Sequence, residues 1–311
     1  MKIPESSDNS SLSRQQRQPA TATMSTAAAG TRPLKILAFH GYASNAFILH
    51  RRLGSVRRAC RHVAEVHSIN GPLLVQPISR SLDALEDENE VIEDTPIEEQ
   101  PRAWWRSTDE GCYRDIDQTW TVLSEEMAKL NHIDGVIGFS QGACLAALIA
   151  AAFEAPSLLP KFNIPRDHPP LKFAVAFSGF RSRDPDHQPL FKDFEGGIRT
   201  PVLSILGRAD QIVDENKSMT LVRACRNTRI EWHPGGHVIP SQANWRNFLR
   251  DFIATFIDPS QRPNDRWKTV EGPSVRSSQN EEEDNGGDSG AASGTAMTTT
   301  IQESSAKKPS L

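Results

Sequence analysis

What this chain has little of narrows it first. Cysteine is scarce: Cys60, Cys112, Cys144 and Cys225 are scattered over 311 residues with no C-x-x-C pair among them. That spacing gives no disulfide framework and fits free thiols in a reducing compartment, so a cytoplasmic location is expected. An excess of one charge is also missing. Lys and Arg number 35 against 39 Asp and Glu, a net charge of −4, so no overall basic field exists to hold nucleic acid or an anionic membrane. No apolar run approaches the roughly 18 residues that a membrane span needs. The Ala-rich stretch beginning at Ala143 runs into Glu154 and Pro156 and reads as a core helix. The first 30 residues lack the apolar core of a secretory signal, and Glu5 and Asp8 argue against a transit peptide. Hydrophobic residues are 37%, low for a globular chain, so part of it is expected to stay unpacked.

What is present concentrates between residues 34 and 257. Short apolar runs at Leu34–Phe39, Val63–Ile69, Ile133–Ile137, Phe173–Phe177, Pro201–Leu206 and Arg229–Trp232 read as strands. Helical periodicity falls between them: a basic amphipathic stretch from Ala46 to Cys60, Asp115–Leu130, the Ala-rich run to Phe153, and Ser241–Ile257. Strands alternating with helices predict an α/β domain, a mostly parallel central sheet with helices on both faces. Residues 81–99 break the pattern with nine acids from Asp83 to Glu99 and are expected to be a solvated insertion. Residues 1–33 are expected to be a disordered leader. Residues 258–311 are expected to be a disordered, low-complexity tail, because their Gly, Ser, Thr and acidic residues cannot bury enough apolar area to offset ordering entropy.

The pentapeptide Gly138-Phe139-Ser140-Gln141-Gly142 matches G-x-S-x-G, a weak signal alone. Here it sits between a predicted strand and a predicted helix, the context of a strained turn that pushes a serine hydroxyl out at a helix N-terminus. Polar residues end the other strands in the order His40-Gly41, Ser140, Asp210, His237. Serine, then aspartate, then histidine is the chain order of an α/β-hydrolase triad. Serine needs a neighbouring base, histidine can take and return a proton near neutral pH, and a carboxylate orients the imidazole. Asp210 follows an apolar strand directly. An Asx turn or a helix cap is its plainer role, and Asp214, itself a candidate N-cap, is the rival acid. His237 follows two glycines. His233 is the rival base, and the proline after it restricts its backbone. The oxyanion hole calls for two backbone N–H groups, and those of Gln141 and Tyr42 are the candidates. Trp104 and Trp105 beside the insertion either cover a core edge or wall an acyl pocket, and His40 is a further candidate contact to substrate. The arginines of the 46–61 helix form a solvated face or attract an anionic carrier.

Taken together, Leu37-Ala38-Phe39-His40-Gly41-Tyr42, Arg102-Ala103-Trp104-Trp105, the segment Asp134–Ala143, Gly207–Val213 and His233-Pro234-Gly235-Gly236-His237-Val238-Ile239-Pro240 resemble the fungal serine hydrolase family (FSH). These are small α/β-hydrolases related to the ovarian-cancer-associated esterases. The resemblance covers about residues 34–257 and implies the α/β-hydrolase fold, with Ser140 as nucleophile, Asp210 as acid and His237 as base. It implies hydrolysis of carboxylic esters or thioesters with no metal and no organic cofactor. Some relatives release polyketides from synthases as thioesterases, so an acyl carrier protein or a polyketide synthase is a candidate partner, with a fatty acyl chain as another cargo. A non-catalytic binding protein on the same fold is the contrasting expectation, and the intact Ser, Asp and His argue against it.

Overall fold

The short apolar segments build the centre of the molecule. The computed structural model describes residues 32–77, 96–97, 99–192, 197–257 and 265–274. In chain order the elements are β1 (Leu34–Phe39), α1 (Ala46–Arg52), α2 (Gly54–Cys60), β2 (Ala64–Ile69), β3 (Leu73–Leu74), β4 (Arg102–Ala103), β5 (Arg106–Ser107), β6 (Tyr113–Arg114) and α3 (Ile116–Leu130). They continue with β7 (Gly135–Phe139), α4 (Gln141–Glu154), β8 (Phe173–Phe177), α5 (Pro189–Lys192), β9 (Val202–Gly207), α6 (Glu215–Arg223), β10 (Thr228–His233), α7 (Ala243–Ala254) and α8 (Arg266–Thr269).

Six strands form one sheet in the order β10-β9-β8-β7-β1-β2, and every pair is parallel. Strands β7 and β8 are buried at every position, as a sheet covered on both faces requires. Alternation along β1 shows the two layers. Leu37 and Phe39 join the layer under α3 and α4, while Ile36 and Ala38 join the layer under α1, α2 and α7. Helix α4 is buried from Gln141 to Ala152. Its run of alanines lets it lie close on the sheet, and its all-round apolarity marks a fully interior helix. The chain leaves β1 toward β2 on one side and returns to β7 on the other. That reversal of direction opens a crevice at the C-terminal ends of β1 and β7, where open α/β sheets bind their ligands.

Three expectations need correction or placement. The single helix expected over Ala46–Cys60 is two, α1 and α2. Leu53 leaves helical geometry at φ −81°, ψ 2°, and Gly54, a poor helix former, follows it. The leader up to residue 31 and most of the acidic insertion, 81–95 and 98, lie outside the described residues. Of the expected tail, residues 265–274 are described, and they pack onto the domain. Trp267 is buried edge-on to Phe252, its carbonyl accepts from Arg229 Nη1 at 2.8 Å, and Asn244 Nδ2 donates to the Pro273 carbonyl at 3.0 Å. One large aromatic ring supplies the apolar area that the surrounding polar stretch lacks.

Candidate active site

Ser140 joins β7 to α4 with φ 55° and ψ −116°, a conformation that L-residues avoid. Its N–H donates to the Phe177 carbonyl at 2.9 Å, and its own carbonyl accepts from Ala143 and Cys144 in the first turn of α4. The flanking glycines are required by space. A Cβ on Gly138 would lie 2.0 Å from the Gly142 carbonyl oxygen, and one on Gly142 would lie 2.2 Å from the Phe39 carbonyl oxygen. The turn therefore closes only with hydrogen at both positions.

Asp210 and His237 meet across the ends of β9 and β10. Asp210 Oδ2 lies 2.8 Å from His237 Nδ1, and Oδ1 accepts the N–H groups of Ile212 at 3.0 Å and Val213 at 2.9 Å. Burial alone would raise the Asp210 carboxyl. The hydrogen bonds from His237 and from the Val213 N–H outweigh it and hold the group below the usual carboxylate range. The Ser178 hydroxyl is near enough to lower it a little further, though it lies outside hydrogen-bond geometry. The His237 ring lies 4.7 Å from the ring of Phe139, the residue before Ser140. The rivals have other work. Asp214 caps α6 by accepting from the Lys217 N–H at 2.9 Å. His233 is buried edge-on to Trp245, and burial lowers its pKa against a smaller opposing pull from Asp210.

A cavity of about 950 Å³ opens in front of the elbow, lined by Ser140 and Gln141 with Tyr42 beside them. Neither the Gln141 nor the Tyr42 backbone N–H has a backbone acceptor among the described residues. Phe180, Ile212 and Val213 supply apolar wall, and Trp105 adds to it. Of the three side chains expected to contact substrate, only Trp105 lines this cavity. Trp104 and His40 sit behind it, fully buried. The Trp104 indole donates to the His40 carbonyl at 2.8 Å. His40 Nδ1 lies 2.7 Å from the Gly41 carbonyl, and its Nε2 accepts the Gly71 N–H at 2.8 Å. One nitrogen must donate and the other accept, so the ring is neutral. Burial pushes its pKa down to about 4, with the Gly41 hydrogen bond opposing and Arg102 assisting. Gln141 contributes a clamp that the sequence did not suggest: its Oε1 accepts from the Trp104 N–H and its Nε2 donates to the Trp105 carbonyl, each at 3.0 Å. The tryptophan wall is thereby tied to the residue after the serine.

Much of the remaining lining escapes sequence reasoning. Phe180, Arg181 and Arg183 follow β8 in an irregular segment, and Arg106 and Arg114 belong to the two-residue strands β5 and β6. The usable signal was positional: Ser178-Gly179 ends a buried strand, and strand ends on this side of the sheet all feed the crevice.

The sequence model of the serine hydrolase (FSH1) family matches residues 29–249. The chain belongs to the serine hydrolase (FSH1) family. Esterase OVCA2 of Xenopus tropicalis is 30% identical over 251 residues, 76% of this chain and 99% of that protein. Human esterase OVCA2 is 29% identical over 242 residues, 74% of this chain and 100% of that one. A Schizosaccharomyces pombe protein named dihydrofolate reductase is 30% identical over 240 residues, but the chain spans only 50% of its length. Among solved structures, Zea mays acyl-protein thioesterase 2 aligns with 74% of this chain and 96% of its own, at 18% identity and a TM-score of 0.47. The parallel sheet, the elbow at its switch point and the family membership together make this an α/β-hydrolase fold. Among the described residues, no helix of this serine hydrolase is long and apolar enough to cross a membrane.

Proposed function

We propose that this serine hydrolase cleaves carboxylic esters or thioesters through an acyl-enzyme on Ser140. His237 Nε2 takes the proton as Ser140 Oγ attacks the acyl carbonyl, then returns it to the departing alcohol or thiol. Water attacks the acyl-enzyme in the second half, giving its proton to the same nitrogen, and Ser140 Oγ leaves with it. Asp210 holds the imidazole in the tautomer that leaves Nε2 free and stabilises the imidazolium. The N–H groups of Tyr42 and Gln141 receive the oxyanion. The observation that carries the assignment is the 2.8 Å contact between Asp210 and His237, with the His237 ring 4.7 Å from that of Phe139, the residue before the strained Ser140. The esterase names of the relatives that match along their whole length support it. The four unpaired cysteines support a reducing, cytoplasmic setting.

Activity-based labelling with a fluorophosphonate tests the assignment. Folded wild type is expected to label and Ser140→Ala is expected not to; well-folded wild type that stays unlabelled would favour a non-catalytic binding protein. A carrier-linked thioesterase that frees a polyketide or fatty acyl chain from an acyl carrier protein would use the same residues. Turnover of matched oxygen esters and coenzyme A thioesters separates it from a general esterase.

A further inference from the structure

The cavity wall is polarised in charge. Five of its side chains are cationic: Arg106, Arg114, Arg181, Arg183 and Lys217. Among the described residues that line it none is Asp or Glu, although acids outnumber bases in the chain as a whole. Arg106 and Arg114 stand directly opposite each other in the β5–β6 ladder, where like charges are destabilising. Asp115 relieves only one of them, pairing with Arg106 Nη1 at 2.7 Å. Arg183 joins the same corner. Its N–H donates to the Tyr113 hydroxyl at 3.2 Å, and its Cβ would lie 3.5 Å from a Cβ added at Gly111 in the hairpin tip. Neither Arg114 nor Arg183 has a carboxylate within ion-pair distance among the described residues. The hairpin's Glu110 is fully exposed, and its carboxyl is lowered first by the Thr108 hydroxyl, with Arg114 the smallest of its causes. Five cations gathered with one paired carboxylate among the described residues conflict with folding alone, and such conflicts concentrate where a ligand resolves them.

We propose that the substrate carries an oxyanionic group, a carboxylate or a phosphate, that docks against Arg114 and Arg183 while its acyl carbonyl lies at Ser140. The apolar wall of Trp105, Phe180, Ile212 and Val213 takes the carbon chain. The group can sit at the far end of the acyl chain or on the leaving group, and the chemistry of recognition is the same. This proposal rests on the assignment of Ser140 as nucleophile.

The test uses the full chain and two matched pairs of substrates. In the acyl arm, p-nitrophenyl valerate is compared with the mono-p-nitrophenyl ester of glutaric acid, which differs by a terminal carboxylate. In the leaving-group arm, the valeryl thioester of N-acetylcysteamine is compared with valeryl-coenzyme A. The anionic member of one arm is expected to exceed its neutral partner in kcat/KM. That ratio should fall about tenfold in the double variant Arg114→Ala/Arg183→Ala, the size of two lost exposed charge contacts, and should shrink in high salt. Arg58→Ala/Arg61→Ala removes the same charge from α2 and its C-cap, neither of which lines the cavity, and should leave the ratio alone. A ratio near one in both arms overturns the proposal, as does a ratio that survives the cavity variant or falls in the α2 variant. Turnover of the neutral ester and fluorophosphonate labelling, measured on the same preparation, report on the serine chemistry separately. If both fail, calorimetry with coenzyme A and with glutarate on Ser140→Ala protein decides: heat that is lost in the arginine variant upholds the anion site, and no heat overturns it.

Discussion

Ser140 holds φ 55°, which costs an L-residue about 1–2 kcal/mol. The reversal from β7 into α4 holds that conformation, with the Ser140 N–H on the Phe177 carbonyl and its carbonyl in the first turn of α4. Ser140→Gly is therefore expected to raise stability by about 1 kcal/mol, a gain of roughly 2–4 °C in Tm for a domain of this size, whereas Ser140→Ala is expected to gain little. Both lose hydrolysis. Thermal unfolding of the two side by side checks it; a glycine variant no more stable than the alanine one would mean that the elbow stores no strain. Asp210→Asn separates the proposed acid from its rival. The amide can still accept from Ile212 and Val213 through Oδ1, so the fold should hold. It would present an NH₂ to His237 Nδ1, however, and drive the proton to Nε2, the wrong tautomer for a base. The expected loss in kcat is about 10³-fold or more, with Tm nearly unchanged. Asp214→Asn keeps the cap on α6, since asparagine caps as well as aspartate, and should retain activity. Steady-state kinetics on both variants decides; a larger loss at 214 than at 210 would reverse the assignment of the acid.

At the scale of elements, the sheet was legible because a strand buried on both faces reads as a continuous apolar run. Phe173–Phe177 is the plainest case, identical in sequence expectation and structure. The break between α1 and α2 was not legible. Leu49, Leu53, Val56 and Cys60 stay on the buried side across it, so the periodicity carries through a kink that only backbone geometry reveals. The segment from Ser178 to Gln188, which walls much of the cavity, has no repeating period, and its contacts are long-range: Asp184 Oδ2 accepts the Tyr113 N–H from the hairpin. The order of Ser140, Asp210 and His237 could be read from strand ends, but the cavity's charge could not, because its arginines come from three separate segments. Trp267 lacked a signal for a simpler reason. A single aromatic in a polar stretch has no pattern, yet it closes the open edge of α7 against Phe252. Trp267→Ala should cost about 3 kcal/mol, as large-to-small changes at buried aromatics do, and lower Tm by roughly 6–12 °C. Differential scanning calorimetry reads this, and a shift under about 2 °C would show that α8 adds nothing to the domain.

For the whole molecule, His40 links stability to pH through a position far from any titrating surface. Its ring accepts from the Gly71 N–H and donates to the Gly41 carbonyl, and the first of these bonds needs the neutral form. Burial holds its pKa at about 4 against an ordinary 6.5. The unfolded chain therefore binds this proton at a higher pH than the folded one does. Stability from this group is complete above pH 6.5, declines as pH falls toward 4, and stops declining below it, a total of about 3 kcal/mol. Asp210 acts in a lower window. Its carboxyl is held below the ordinary value of 3.8, so the stability it supplies is present above that value and is lost only as pH falls through its folded pKa. Between pH 6.5 and 4 the slope thus belongs to His40, with His187 and His233, whose pKa values burial also lowers, rather than to Asp210. His40→Gln keeps an acceptor for Gly71 and removes the titration. Urea unfolding at intervals from pH 7 to 4 should give wild type a loss of at least about 3 kcal/mol and the variant a clearly flatter profile, even if the variant is less stable at pH 7. Parallel profiles would place the acid sensitivity elsewhere and show that the buried imidazole is free to take up a proton in the folded state.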